Sequence, residues 1–190
     1  MTGIRAFIAV PLPRDVEAAL VDAAATHLGD LSHLRLVPAR NMHLTMKFLG
    51  DKTHAELEHL AELMRILGKK RAPIDARVVG VGAIPNDKAP KVIHAKIDGG
   101  FDSILALAGD LDRAAEAIHV PRETRPFTPH ITLARVKSPK QLGLLRKRLA
   151  PIAHQDFGAF PIEELVLYRS DLSPEGATYF PLAGVKLTGE

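Results

Sequence analysis

The sequence predicts an α+β fold of largely antiparallel sheets, arranged as two lobes of one unit spanning residues 1–190. Three observations predict it. Strand-like and helical segments succeed one another without the regular β-α-β alternation of a parallel doubly wound sheet. The second half of the chain repeats the plan of the first. One unusual strand, "HLTMKFLG" at 43–50, is echoed by "HITLARV" at 130–136, close to half the chain away. Duplication of a lobe would set those two copies opposite each other around a pseudo-twofold axis.

The elements follow in order. "IRAFIAV" (4–10) is β-rich and ends at Pro11 and Pro13, so it reads as a strand. From Arg14 to about Leu28, Val16, Leu20, Ala24 and Leu28 recur at helical spacing. "HLRLV" (33–37) alternates at period two until Pro38, and "HLTMKFLG" alternates again. Thr53 is placed to cap the next helix, with Glu56 in capping-box position. Leu57, Leu60, Leu63, Met64 and Leu67 form its buried stripe. "RVVGVGAI" (77–84) and "KVIHAKI" (91–97) are strands around a Pro/Asn/Asp turn. A helix over about 101–118 carries Ile104, Leu105, Ala108, Leu111 and Ala115 on one side. "HITLARV" is a strand, and Ser138 caps a helix running to about Leu149. "IEELVLY" (162–168) and "TYFPLAGVKL" (178–187) close the chain as strands.

Composition narrows the classes. Hydrophobic residues make up 46 % and charged residues 25 %, enough for a real core and unlike a disordered chain. No apolar run approaches the ~20 residues of a membrane span, and "MTGIRAFIAV" lacks the features of a secretory signal. Cysteine is absent, which excludes disulfides, thiolate nucleophiles and cysteine-held metals. A cytoplasmic monomer without membrane partners is expected. The net charge of +3 suits an anionic ligand but is too mild for a binder of duplex DNA. The densest basic cluster, "GKKR" at 68–71, reads as a solvated helix end.

On a regular strand His43, Thr45 and Lys47 share one face, opposite Leu44, Met46 and Phe48. His130 and Thr132 likewise oppose Ile131 and Leu133. Arg135 falls on the far face from His130 unless the strand bulges. A bare H-x-T is a weak signal in a chain with nine histidines, since packing also accounts for a histidine in a half-buried strand. The shared apolar setting of the two copies is what favours function. Arg125, before the "PFTPH" turn, could line a cleft or be a solvated loop charge. Tyr168 and Phe127 could stack on a base or pack in the core. Among the remaining histidines His94 stands out, lying in the middle of "KVIHAKI".

"RAFIAVPLP", "NMHLTMKFLG", "RPFTPHITLARV" and "LVLYRSDLSPEGATYFPL" together resemble the 2H phosphoesterase superfamily, over essentially the whole chain. The nearest branch is that of the RNA 2′,3′-cyclic phosphodiesterases, also called 2′-5′ RNA ligases. The resemblance implies two lobes, each a mostly antiparallel sheet with helices packed outside, a cleft between them, and one H-x-T from each. It implies hydrolysis of RNA 3′ ends bearing a 2′,3′-cyclic phosphate, tRNA fragments among them, to 2′-phosphomonoesters. His43 would be the proton donor and His130 the acceptor, and the reaction could run backwards as 2′-5′ ligation. Lys47, Arg135, Arg125, Phe127 and Tyr168 are candidates for substrate binding. The chain departs from the family pattern in having no tryptophan, which relatives often carry near Leu36 and His94.

The chemistry explains the residue types. Opening a cyclic phosphodiester takes a water deprotonated as it attacks phosphorus and a sugar oxygen protonated as it leaves. Two imidazoles on opposite sides of the phosphorus meet both needs near neutral pH. Hydroxyls from Thr45 and Thr132 would bind the non-bridging oxygens. The scheme calls for neither metal nor cofactor. Other readings are a phosphodiesterase of small cyclic nucleotides or ADP-ribose cyclic phosphate, a non-catalytic reader of RNA ends, and a zinc site of His43, His94 and His130.

Overall fold

Because strand side chains alternate, a strand with one apolar set must lay that set against a second layer. The structure, a computed structural model, describes residues 3–138, 140–174 and 176–190. Its elements are β1 (Ile4–Pro11), α1 (Arg14–Leu28), β2 (Leu34–Leu36), β3 (His43–Lys52), α2 (His54–Lys70), β4 (Ile74–Ile84), β5 (Val92–Gly99) and α3 (Phe101–Glu116). They continue with β6 (His130–Val136), α4 (Leu142–Leu149), β7 (Asp156–Ile162), β8 (Glu164–Ser173) and β9 (Gly176–Lys186).

The strands form an antiparallel sheet in the order β7-β4-β5-β6-β3-β1-β8-β9, with β2 paired to β6. The two H-x-T strands, β3 and β6, are neighbours at its centre, joined by a single register pair, Leu44 with Ile131. On either side of that seam the connectivity repeats. β1-α1-β3-α2 in one half corresponds to β5-α3-β6-α4 in the other, with β1 paired to β3 and β5 to β6. Strands β4 to β7 of one half follow one another along the chain, whereas the β1–β3 half is not contiguous, since β8 and β9 are added to it from beyond β7.

One face of the sheet carries the core. Ile8, Val10, Leu44, Met46, Ile93, Ala95, Ile131, Leu133, Leu165 and Leu167 pack there with the buried stripes of the helices, including Leu20, Leu60, Met64 and Leu111. The Thr53 capping box is present: its hydroxyl accepts from the Glu56 amide, and the Glu56 carboxylate accepts from the Thr53 amide at 2.8 Å. Among the described residues no helix is long and apolar enough to cross a membrane.

Two expectations at element level change. The helix expected from Ser138 begins only at Leu142, after Gln141 in a left-handed conformation (φ 55°), and Pro139 lies outside the described residues. β7, "DFGAFPI", is an additional edge strand. Its Gly158 and Pro161 obscure the β pattern, but an edge position tolerates a proline.

Candidate active site

The opposite face of the central strands carries the polar residues. Leu44 and Ile131, paired at the seam, both turn to the core, so His43 and Thr45 on β3 and His130 and Thr132 on β6 lie on the opposite face of the two adjoining strands. The two H-x-T motifs thus form one polar quartet at the seam, close enough for the charge of His130 to act on His43. All four side chains are partly exposed.

Each imidazole is anchored in the same way. His43 Nδ1 donates to the carbonyl of Asn41 at 2.9 Å, and His130 Nδ1 donates to that of Thr128 at 2.8 Å. A carbonyl can only accept, so both neutral rings carry their proton on Nδ1 and keep the Nε2 lone pair free. The residue two positions upstream thus selects the tautomer of each histidine.

The two rings differ in their surroundings. His43 is packed by aromatic rings: Phe7 with centroids 4.9 Å apart and Tyr179 edge-on at 5.4 Å. Phe7 in turn stacks on Tyr168 at 5.3 Å. Phe7 is only 3 % exposed yet belongs to this face rather than to the core. Burial pulls the His43 pKa down to about 4; the charges of His130 and Arg135 push the same way, and the Asn41 carbonyl opposes them. Burial likewise raises both tyrosine hydroxyls, Tyr168 with help from Glu164 and Tyr179 against Arg135 and Arg5. His130 instead meets His94 edge-to-face, with centroids 5.3 Å apart and planes at 74°.

β-Bulges decide which neighbours join the quartet. On β3, Ala9 pairs with Thr45 but the adjacent Ile8 pairs with Lys47, so one extra residue is inserted. Met46 and Lys47 both turn to the core side, and Lys47, expected beside His43, is 4 % exposed there. Its ammonium pairs with Asp112 at 2.6 Å and donates to the Pro121 carbonyl at 3.1 Å. It is a tie between β3, α3 and the 121–129 loop rather than a ligand for substrate. On β6 the same insertion falls at Leu133, since His94 pairs with Thr132 and Ile93 with Ala134. Arg135 is thereby returned to the face of His130 and Thr132, where its charge reaches His43 and Tyr179. Phe48, at the equivalent position of β3, is 61 % exposed on this same face, 6.2 Å from the Phe7 ring.

Of the other candidates, Tyr168 joins the aromatic wall behind His43. Phe127 packs against the core, and Arg125 is exposed on the loop leading into β6. Among the described residues no three His, Cys, Asp or Glu side chains are grouped to hold a metal ion, so His43, His94 and His130 do not form the three-histidine set. Phe7, Tyr179 and Phe48 are additions. Phe7 and Tyr179 sit in strands that read as buried, and only the pairing of β1, β8 and β9 brings them to His43.

H-x-T strands abutting at the centre of a duplicated antiparallel sheet define a phosphoesterase of the 2H class. More particularly, the chain belongs to the 2′-5′ RNA ligase superfamily, whose family model matches residues 12–174. It is 37 % identical to an RNA 2′,3′-cyclic phosphodiesterase of Thermus thermophilus over 194 aligned positions, covering 98 % of this chain and 92 % of the relative. An RNA 2′,3′-cyclic phosphodiesterase of Escherichia coli is 28 % identical over 197 positions, covering 97 % of each. The crystal structure of the Thermus thermophilus protein TT0787 matches with a TM-score of 0.83 at 36 % identity, covering 98 % of this chain and all of that one.

Proposed function

We propose that this chain hydrolyses RNA 2′,3′-cyclic phosphate ends to 2′-phosphomonoesters by paired histidine acid–base catalysis, and that the same site run in reverse forms 2′-5′ linkages. The observation that carries the reading is the quartet on adjoining strands, with both Nε2 atoms freed by a carbonyl on Nδ1. The names of the relatives from Thermus and Escherichia support the substrate class.

In the forward direction a water oxygen bonds to phosphorus as the bond to the 3′ oxygen breaks. The water's proton passes to His130 Nε2, and a proton on His43 Nε2 passes to the departing oxygen. Thr45 and Thr132 donate to the non-bridging oxygens and hold the phosphorus between the rings. Because burial keeps His43 neutral near pH 7, it takes the proton it donates from solvent as the anionic substrate binds, the substrate's charge offsetting that of Arg135 and favouring the imidazolium.

The test is incubation with a short RNA ending in 2′,3′-cyclic phosphate. A 2′-monophosphate product is expected, with kcat/KM bell-shaped in pH. His43→Ala and His130→Ala should each cost roughly 10²–10⁴-fold in kcat while RNA-end binding survives. A wild-type protein that binds the end and leaves it intact would make the chain a reader instead.

A further inference from the structure

An imidazole held by one hydrogen bond can still rock about it, so packing must fix its plane. His43 has that packing from Phe7 and Tyr179. Among the described residues His130 has no such aromatic wall, and the register shows what replaces it. Across from Thr45 stands Ala9; across from Thr132, at the equivalent place in the other half, stands His94. Its ring meets that of His130 edge-to-face at 5.3 Å. His94 is 6 % exposed, more buried than an idle surface histidine. Gly82 on β4 faces it, and a Cβ there would stand 3.3 Å from His94 Nε2 and 2.9 Å from Cε of Lys96, so the glycine leaves room for both side chains.

We propose that His94 is a positioning residue for the proposed reaction, a ring that holds the His130 imidazole in the plane from which its Nε2 meets the substrate. The inference rests on the two-histidine reading for its kinetic consequence but not for its structural one. His94 forms no bond to the reacting atoms and carries no proton in the cycle. The charged or titratable groups set against it are His130 from β6 and Lys96 from its own strand, while β4 offers the Gly82 backbone. Burial, with their charge, keeps His94 neutral down to about pH 4, so it packs as an uncharged ring at working pH. A phenylalanine can therefore stand in for it.

The experiment compares wild type with His94→Phe and His94→Ala at equal folded fraction by circular dichroism. Two quantities are read: steady-state kinetics on an RNA 2′,3′-cyclic phosphate, and the NMR order parameter of the His130 ring C–H groups, which reports how far the ring plane swings. His94→Ala should lower kcat roughly 10- to 100-fold with KM held within about twofold, and the His130 order parameter should fall. His94→Phe should restore a rigid ring and near-wild-type kcat. A His94→Ala protein whose His130 ring stays as rigid as in wild type, or that changes KM alone, overturns the proposal. If wild type fails to open the cyclic phosphate, the hydrolase reading fails, yet the order parameter still decides what His94 does to His130.

Discussion

Removing the Arg135 guanidinium takes a permanent charge from beside His43 while leaving the sheet's hydrogen bonds in place. Arg135→Met should raise KM roughly 10- to 100-fold, the worth of a charged hydrogen bond to phosphate, and should raise the His43 pKa. Lys47→Met predicts the opposite division. It strips a buried ammonium from Asp112 and should cost about 3 kcal/mol in urea denaturation with KM unchanged. A raised KM at unaltered stability would return Lys47 to the binding face. The quartet itself was readable from alternation, because His43, Thr45, His130 and Thr132 precede any irregularity in their strands. Lys47 and Arg135 were not, because one inserted residue reverses every later side chain and leaves no mark in composition. Phe7 and Tyr179 were hidden for another reason, since an aromatic in an apolar strand looks the same on either face.

Helix α2 shows an element specified by its own sequence. Thr53 and Glu56 exchange the predicted pair of bonds, so Thr53→Ala should lower stability by about 1 kcal/mol and leave kcat alone. A fall in kcat would show that α2 reaches the site. Helix α4 shows the reverse case: its start depends on Gln141 in a left-handed turn, a conformation that a Ser-Pro-Lys-Gln stretch does not announce. β7 was missed because glycine and proline interrupt it, and its pairing with β4 outweighs that local disfavour. The bulges on β3 and β6 are the elements' contribution to chemistry, since each re-aims the side chain three residues past its threonine.

For the molecule as a whole, two desolvated imidazoles link folding to pH. Both His43 and His94 have folded-state values of about 4, below the 6.5 of the unfolded chain. The unfolded state therefore binds more protons between those values, and their stabilising contribution, complete above pH 6.5, is lost as pH falls toward 4. Each excluded proton tilts stability by ~1.4 kcal/mol per pH unit inside that window. Urea midpoints measured at pH 7.5, 6 and 5 should fall steadily, and His94→Phe should flatten the slope; a midpoint constant over that range would refute the linkage. The echo of two motifs pointed to the central strands, but the return of β8 and β9 to β1 was not legible, because pairing across such sequence distances has no local signal. That return governs how the chain can be made. A nascent chain exposes one open edge of β1 until the β8–β9 hairpin leaves the ribosome, so the half-sheet behind His43 closes only after β2 to β7 have been made.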